Sequence, residues 1–201
     1  MKKVIVGLCL IGVIYGFLNM WQTSPGKAAS LSNTLNSTLN RVAQVAHQSV
    51  EGKPSLPAAF VDKVLSAASS KAAGTGQALY NLSVKYGIDD AYALAFFQHE
   101  STFGTGGVAR ATLSLGNIRC SEGYQCIEGY RAYQTWQEGY EDWYRLIRTL
   151  YISQWHLSTV EQIIPVYAPS SDHNDVAGYI AAVEKAVSTW RSEAQGGNYE
   201  M

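Results

Sequence analysis

The stretch DDAYALAFFQHESTFG, residues 89–104, carries the strongest structural signal in this chain of 201 residues. Asp89 is a good helix N-cap, and the residues after it predict a helix over 90–101. Because apolar side chains fall on nearly every side of this helix, we expect it to be buried in the centre of a helical domain. Glu100 stands near its C-terminal end, where an acidic residue requires an explanation.

The position of Glu100 predicts an unusual pKa. Its carboxylate would lie near the negative end of the helix dipole and among aromatic rings, and both surroundings disfavour the charged form. A carboxyl group that stays neutral near pH 7 can protonate a leaving oxygen, as the general acid does in glycoside cleavage. The alternative is a helix-end glutamate that faces solvent, and position alone does not decide between the two.

Helical patterns surround this central stretch. On its N-terminal side, short amphipathic helices are predicted near residues 60–68 and 79–86, the second ended by Gly87. Residues 104–133 show no helical period, so they are predicted to form a loop or a small hairpin. The chain is therefore predicted to be mainly helical with one irregular lobe.

Three more helices are predicted after the lobe. Capping boxes at 135–138 and 158–161 open the first two of them. Either Asn174 or Asp175 opens the last one.

Charge and composition exclude several functional classes. The chain has 15 Lys and Arg residues against 16 Asp and Glu residues, which excludes a basic nucleic-acid binder. Its apolar fraction of 47% is enough to build a core and excludes a disordered acidic chain. The 13 tyrosines and 5 tryptophans suit an uncharged, ring-shaped ligand.

The N-terminus predicts export. Lys2 and Lys3 precede an apolar stretch over residues 4–21, whose 18 residues are at the threshold for a membrane span. Cleavage after Ala28 would make residues 1–28 a signal peptide, whereas a retained segment would be a membrane anchor, and both remain open. In either case the rest of the chain is exported, either secreted or anchored outside the membrane.

The remaining chain divides into three predicted parts. Residues 29–57 form a Ser-, Asn- and Ala-rich helical stalk or linker, 58–192 form the main domain, and 193–201 form a tail. Removal of residues 1–28 takes away three lysines, so the exported part has 12 bases and 16 acids, a net charge of −4.

The exported part contains two cysteines, Cys120 and Cys126. In an oxidising compartment, this pair predicts a disulfide that closes a small loop. Half of a metal site is the alternative, but no second Cys or His pair stands at zinc spacing.

Aromatic side chains mark a candidate sugar-binding surface. Tyr167 lies between Pro165 and Pro169, and this pinned turn favours a fixed side-chain position. A further cluster follows the lobe, where aromatic rings either stack on sugar rings or pack in the core: Tyr124, Tyr130, Tyr133 and Trp136.

Three segments between about residues 72 and 191 resemble the peptidoglycan-cleaving endo-β-N-acetylglucosaminidases, the glucosaminidase domain of bacterial autolysins and flagellar muramidase-like proteins. An apolar helix ending in Glu-Ser-x-x-Gly is matched by residues 95–104. An aromatic-Arg-x-Tyr-x-Ser-x-x-Glu pattern is similar to residues 130–138. Tyr-Ala followed by Asp-x-x-Tyr is matched by residues 167–168 and 175–179.

The resemblance implies a mainly α, lysozyme-like helical domain with a short, disulfide-closed irregular or β lobe, preceded by an N-terminal hydrophobic helix. It implies a peptidoglycan hydrolase that cuts the β-1,4 bond after N-acetylglucosamine, with Glu100 as the catalytic general acid. Tyr167 would lie beside Glu100 and orient substrate or water. Asn117, Tyr130 and Tyr133 are candidate substrate-binding residues, and no metal or organic cofactor is implied.

The chain departs from the family in the lobe. The family segment Asn-Leu-Phe-Gly-Ile-Lys corresponds only to residues 114–119, and the lobe after it is short. Family members often carry a second acidic residue there, for which Glu122 and Glu128 are the candidates. Neither lies in a recognisable motif, so the second catalytic group stays open, and the acetamido group of the substrate could act instead.

Two alternatives accompany this prediction. A lytic transglycosylase of the same fold also needs one acidic residue and leaves an anhydro-muramic product. A non-catalytic wall-binding or structural protein would keep the fold without the chemistry. The expected partners are the peptidoglycan glycan strand and, if residues 4–21 are not cleaved, the membrane. No nucleic acid is expected, and we expect a monomer.

Overall fold

The computed structural model describes residues 30–38 and 49–197, which belong to two separate compact units. In the first unit, residues 30–38 form helix α1. The predicted signal peptide or anchor, and with it the hydrophobic helix over residues 4–21, lies outside the described residues. Within the two described ranges, no helix is both long and apolar enough to span a bilayer.

The second unit is mainly helical with one small hairpin, as the sequence predicts. Strands β1 and β2 are antiparallel and place Cys126 opposite Arg131. The elements are, in chain order, α2 (Ala58–Ala67), α3 (Gly76–Tyr86), α4 (Asp90–Ser101), α5 (Ala109–Thr112), β1 (Cys126–Ile127), β2 (Tyr130–Arg131), α6 (Trp136–Leu146), a π-helical segment (Ile147–Gln154), α7 (Val160–Tyr167), a 3-10 turn (Ser170–Asp172) and α8 (Val176–Gly196).

Helix α4 is the buried central helix that the sequence predicts, with the predicted bounds. The Asp89 side chain caps it by accepting a hydrogen bond from the backbone N–H of Ala91 at 2.9 Å. The helix ends at Ser101, and Thr102 follows it with a backbone φ of 49° and an N–H that donates to the Gln98 carbonyl. Helix α4 packs most extensively against α8, and this contact places the end of α4 beside the first turn of α8.

Aromatic rings fill the space around α4. Phe96 packs against Trp143 with the ring centroids 5.4 Å apart, and Phe97 stacks on Tyr140 at the same distance. Trp143 and Tyr140 are fully buried. This packing holds the apolar faces of α4 and α6 together, so the end of α4 is supported by a close-packed core.

Several helix ends confirm the predicted signals. Gly87 ends α3 with a φ of 62°, a backbone conformation that favours glycine. Thr135 accepts a hydrogen bond from the Glu138 N–H at 3.2 Å at the start of α6. Asp175, rather than Asn174, caps α8 by accepting a hydrogen bond from the Gly178 N–H.

Other local predictions are wrong in detail. The second capping box pairs Thr159 with Gln162, one residue later than predicted, because the Gln162 side chain accepts the Thr159 N–H at 3.2 Å. Helix α5 lies within the region predicted to be loop or hairpin. Helix α8 continues to Gly196, into the predicted tail. Leu56, assigned to the linker, is fully buried in the core.

The lobe between α5 and α6 is fastened at two places. The predicted disulfide between Cys120 and Cys126 is present, with a Cα–Cα distance of 5.8 Å. Asp142 of α6 is buried and accepts a hydrogen bond from Arg131 of β2 at 2.8 Å. The hairpin is therefore attached to α6 by an ion pair as well as closed by a covalent bond.

Candidate active site

A cavity of about 270 Å³ lies at the C-terminal end of α4. Its walls come from the segment before the hairpin, from β2, from the π-helical segment and from the turn that follows α7. Four of the residues predicted from the sequence line this cavity: Glu100, Asn117, Tyr130 and Tyr167. The fold thus brings together residues from segments that are far apart in the sequence.

Burial raises the pKa of the Glu100 carboxyl to about 7. A hydrogen bond from Tyr179 and the charge of Arg119 both lower this pKa, but burial outweighs them. The Tyr179 hydroxyl donates to Oε1 of Glu100 at 2.7 Å. The sequence left a raised pKa and a solvent-facing glutamate as alternatives, and the burial of Glu100 supports the raised pKa. The structure adds the tyrosine that contacts the carboxyl group.

Tyr179 is a site residue that is not among the candidates predicted from the sequence. It is buried in the first turns of α8, with its ring 5.6 Å from that of Phe96. On its other side, its ring stacks on His99 at 3.6 Å. These contacts fix the hydroxyl toward Glu100. The sequence does contain an indication of Tyr179, because this residue is the last one of segment 175–179, which resembles the third family motif.

Asn117 contacts the backbone next to the candidate acid. It adopts a left-handed conformation, with a φ of 46°, and its Nδ2 donates to the backbone carbonyl of Glu100 at 2.8 Å. Among the described residues, its buried Oδ1 has no hydrogen-bond partner. A buried polar atom without a partner requires an explanation, and a ligand N–H is one donor that would satisfy it.

Tyr167 lines the cavity, but its hydroxyl does not contact the carboxyl of Glu100. It donates instead to the backbone carbonyl of Gly116. Burial raises the pKa of the Tyr167 hydroxyl well above its usual value, and the charge of Glu100 raises it further. A Cβ at Gly116 would lie 2.5 Å from Trp143, so this close approach requires glycine. The hydroxyl that contacts the Glu100 carboxyl is that of Tyr179.

The mouth of the cavity carries a charged pair. Arg119, from the segment before the hairpin, forms an ion pair with Asp172 in the 3-10 turn at 3.0 Å. Its guanidinium also lies 5.6 Å from the centroid of the Tyr130 ring. Both members of the pair line the cavity, together with Tyr130 and Glu100. An aromatic face and opposite charges therefore surround its entrance.

The remaining predicted residues lie elsewhere. Tyr133 is not among the residues that line the cavity, and its hydroxyl donates to Oδ2 of Asp142 at 2.5 Å. Glu122 and Glu128 are exposed in the lobe and do not line the cavity either. Of the described residues, Asp172 is the other acidic residue in its lining. No helical period or capping signal pointed to Asp172.

In the part of the chain that the structure describes, no cluster of three His, Cys, Asp or Glu side chains is arranged to hold a metal ion. No protein-family model matches the chain, and no curated protein sequence shows significant similarity to it. A function is therefore inferred from the cavity and its residues.

Proposed function

We propose that this protein is a peptidoglycan hydrolase of lysozyme-like fold, an endo-β-N-acetylglucosaminidase that cuts the β-1,4 bond after N-acetylglucosamine. The observation that carries the proposal is the Glu100 carboxyl, whose pKa of about 7 leaves a proton available in a cavity with aromatic walls. A carboxyl group in this state is suited to general-acid catalysis at a glycosidic oxygen.

In this reaction, Glu100 donates its proton to the leaving oxygen while the bond between that oxygen and the sugar C1 breaks. Tyr179 positions the carboxyl, because its hydroxyl is bonded to Oε1 at 2.7 Å and its ring is held by Phe96 and His99. Since Oε1 accepts this hydrogen bond, Oε2 is the oxygen proposed to carry the acidic proton.

The walls of the cavity offer groups that suit an N-acetylated glycan. The Tyr130 ring presents an aromatic face on which a sugar ring can pack. Asn117 also lines the cavity, and its side-chain amide is of a type that can hydrogen-bond to a sugar substituent. Both groups are neutral, as expected for binding to an uncharged sugar ring.

The net charge of the exported part also favours glycan binding through neutral groups. If residues 1–28 are removed, the exported part has a net charge of −4, with 12 bases and 16 acids. Such a chain gains no long-range attraction to an anionic cell wall. Binding to the glycan strand would therefore depend on tyrosines and hydrogen bonds in the cavity.

The test is Glu100→Gln, assayed with purified sacculi by chromatography and mass spectrometry of the released fragments. We expect the variant to fold and to release fragments at least about 100-fold more slowly, because an amide cannot donate the proton. Glu193→Gln is the matched control, since Glu193 is exposed on α8. This variant should cleave at the wild-type rate.

The fragments also identify the reaction. Hydrolysis leaves reducing N-acetylglucosamine ends, whereas a lytic transglycosylase leaves anhydro-muramic ends that lack one water molecule. Wild-type protein that binds sacculi without releasing fragments would indicate a non-catalytic wall-binding protein. A Glu100→Gln variant that cleaves at the native rate would contradict the assignment of the acid.

A further inference from the structure

The cavity contains a second carboxyl group in surroundings opposite to those of Glu100. Asp172 is at the mouth, with 45% of its side chain exposed, and pairs with the Arg119 guanidinium. Glu100 lies deeper, where burial favours its neutral form. One carboxyl is thus surrounded by aromatic rings and accepts from a tyrosine, while the other faces water and a positive charge. Two carboxyls in such contrasting surroundings are suited to the separate roles of acid and base.

We propose that Asp172 is the general base that activates the attacking water, which makes the reaction an inverting hydrolysis. This inference rests on the proposed function, since it names the partner of Glu100 in the same cavity. It replaces Glu122 and Glu128, neither of which lines the cavity, as the candidate second carboxylate.

The position of Asp172 is well defined. The Asp172 N–H donates to the Pro169 carbonyl at 3.0 Å, and the Asn174 side chain donates to the same carbonyl at 3.1 Å. These bonds close the turn that follows α7. From the facing segment, Arg119 contacts Oδ2 of Asp172. The carboxylate is therefore oriented from two sides, and Oδ1 is the oxygen proposed to accept a proton from water.

The ion pair does not prevent this role. The Arg119 side chain is 72% exposed, and ion pairs between exposed groups are weak. Asp172 can therefore give up part of this contact when water and substrate bind.

The proposed cleavage is a single displacement at C1 of the sugar. Glu100 transfers its proton to the glycosidic oxygen, and the C1–O bond breaks with its electron pair going to that oxygen. A water oxygen forms the new bond to C1 from the opposite face, and the proton of that water passes to Asp172. The products are a sugar with inverted configuration at C1 and the freed hydroxyl of the next sugar.

Azide rescue tests this role with the whole chain and purified peptidoglycan as the probe. We expect Asp172→Ala to lower kcat about 100-fold or more with little change in KM, because the base acts in the transition state. Added sodium azide needs no base, so it should restore cleavage and give an α-glycosyl azide detectable by mass spectrometry and NMR. Glu193→Gln, which changes an exposed carboxyl on α8 outside the cavity, should retain wild-type activity and form no azide product.

Three outcomes would overturn the role of Asp172 while leaving glycan cleavage by Glu100 in place. They are native-rate cleavage by Asp172→Ala, loss of cleavage in a folded Asp172→Ala variant without any azide product, and anhydro ends from the wild-type protein. Wild-type protein that releases no fragments would overturn both proposals. Correct folding of each variant is checked by its unfolding transition in urea, and Asp172→Asn serves as the second variant if Asp172→Ala does not fold.

Discussion

Glu100 and Asp142 are two carboxyl groups that the fold withdraws from water with opposite results. Burial raises the pKa of Glu100 to about 7, because one tyrosine and a more distant arginine compensate it only in part. Burial also raises the pKa of Asp142, but hydrogen bonds from Tyr133 and Arg131 outweigh it, and the pKa lies below the usual value. Glu100 lines the cavity, whereas Asp142 attaches the lobe to α6.

The difference shows that burial alone does not decide the protonation state of an acidic residue. The number of donors and cations around the carboxyl decides it. Asp142 has donors on both oxygens, since Arg145 and Tyr124 contact Oδ1 while Tyr133 and Arg131 contact Oδ2. The Asp142 carboxylate accepts hydrogen bonds on both oxygens and has a structural role. The Glu100 carboxyl has a single hydrogen-bond donor and lies in a cavity, so it keeps a proton that can be transferred.

Asp142→Asn tests the structural half of this comparison and should have the largest effect on stability. It removes the charge that compensates Arg131, whose side chain is only 13% exposed, so we expect a loss of about 3 kcal/mol. Urea unfolding at neutral pH measures this loss. Glu100→Gln should not lower the free energy of unfolding, because at neutral pH part of the buried carboxyl is charged, and the neutral amide removes the cost of burying that charge. Equal losses in the two variants would contradict the comparison.

Removal of the disulfide tests whether Asp142 holds the lobe in place without the covalent bond. The double variant Cys120→Ser and Cys126→Ser should lose about 2 kcal/mol, because the loop is short and its closure entropy is small. Since Asp142 still attaches the hairpin to α6, fragment release from peptidoglycan should persist. Complete loss of cleavage in a folded double variant would show that the covalent bond, rather than the ion pair, positions the lobe.

Tyr179→Phe tests the single donor on Glu100 through the pH profile. A general acid must be protonated, so kcat should fall as the pH rises through the pKa of about 7. The hydrogen bond from Tyr179 lowers this pKa, so its loss should raise the pKa, and the alkaline limb should move up by about one pH unit. The variant leaves the other charged and titratable groups near the Glu100 carboxyl in place, so the shift reports the lost hydroxyl. These groups are Arg119, Tyr151, Tyr167 and Asp172.

The matched control for this variant is Tyr80→Phe, which removes a hydroxyl from α3 that does not line the cavity. Its pH profile should coincide with that of the wild type. A downward shift of the alkaline limb in Tyr179→Phe would mean that the hydroxyl stabilises the protonated form instead.

Arg119→Gln should have the smallest effect on stability. Its ion pair with Asp172 is exposed, in contrast to the one between Arg131 and Asp142, so its loss should cost less than about 1 kcal/mol. Urea unfolding beside Asp142→Asn gives the direct comparison. A loss as large as that of Asp142→Asn would mean that the mouth of the cavity, like the lobe, depends on an ion pair for its fold.

Much of the fold follows from local sequence patterns. The cap at Asp89 and the apolar run after it predict α4 with the bounds that the structure has. Local patterns are less decisive where two neighbours have similar side chains. Glu161 and Gln162 both satisfy a capping-box pattern with the residue three positions earlier, and the contacts formed in the fold select Gln162.

The site was predictable only in part. The position of Glu100 at the end of an apolar helix is compatible with a raised pKa or with a side chain that faces solvent, and only its burial in the fold raises the pKa. Tyr179 and Asp172 lie 79 and 72 residues further along the chain, and no local pattern relates either one to Glu100. Tyr133 had the aromatic signal expected of a ligand-binding residue, yet its hydroxyl is bonded to Asp142.

Local patterns along the chain predicted the main helices in their order, the buried central helix, the disulfide and the acidic residue at the end of that helix. Periodicity, capping and cysteine pairing are short-range properties, so they can be read along the chain. Which groups surround each carboxyl, and therefore which carboxyl keeps its proton, depends on how distant segments pack together. Desolvation and hydrogen bonding between distant segments control a pKa, and these exist only after α4, α8 and the lobe have packed together.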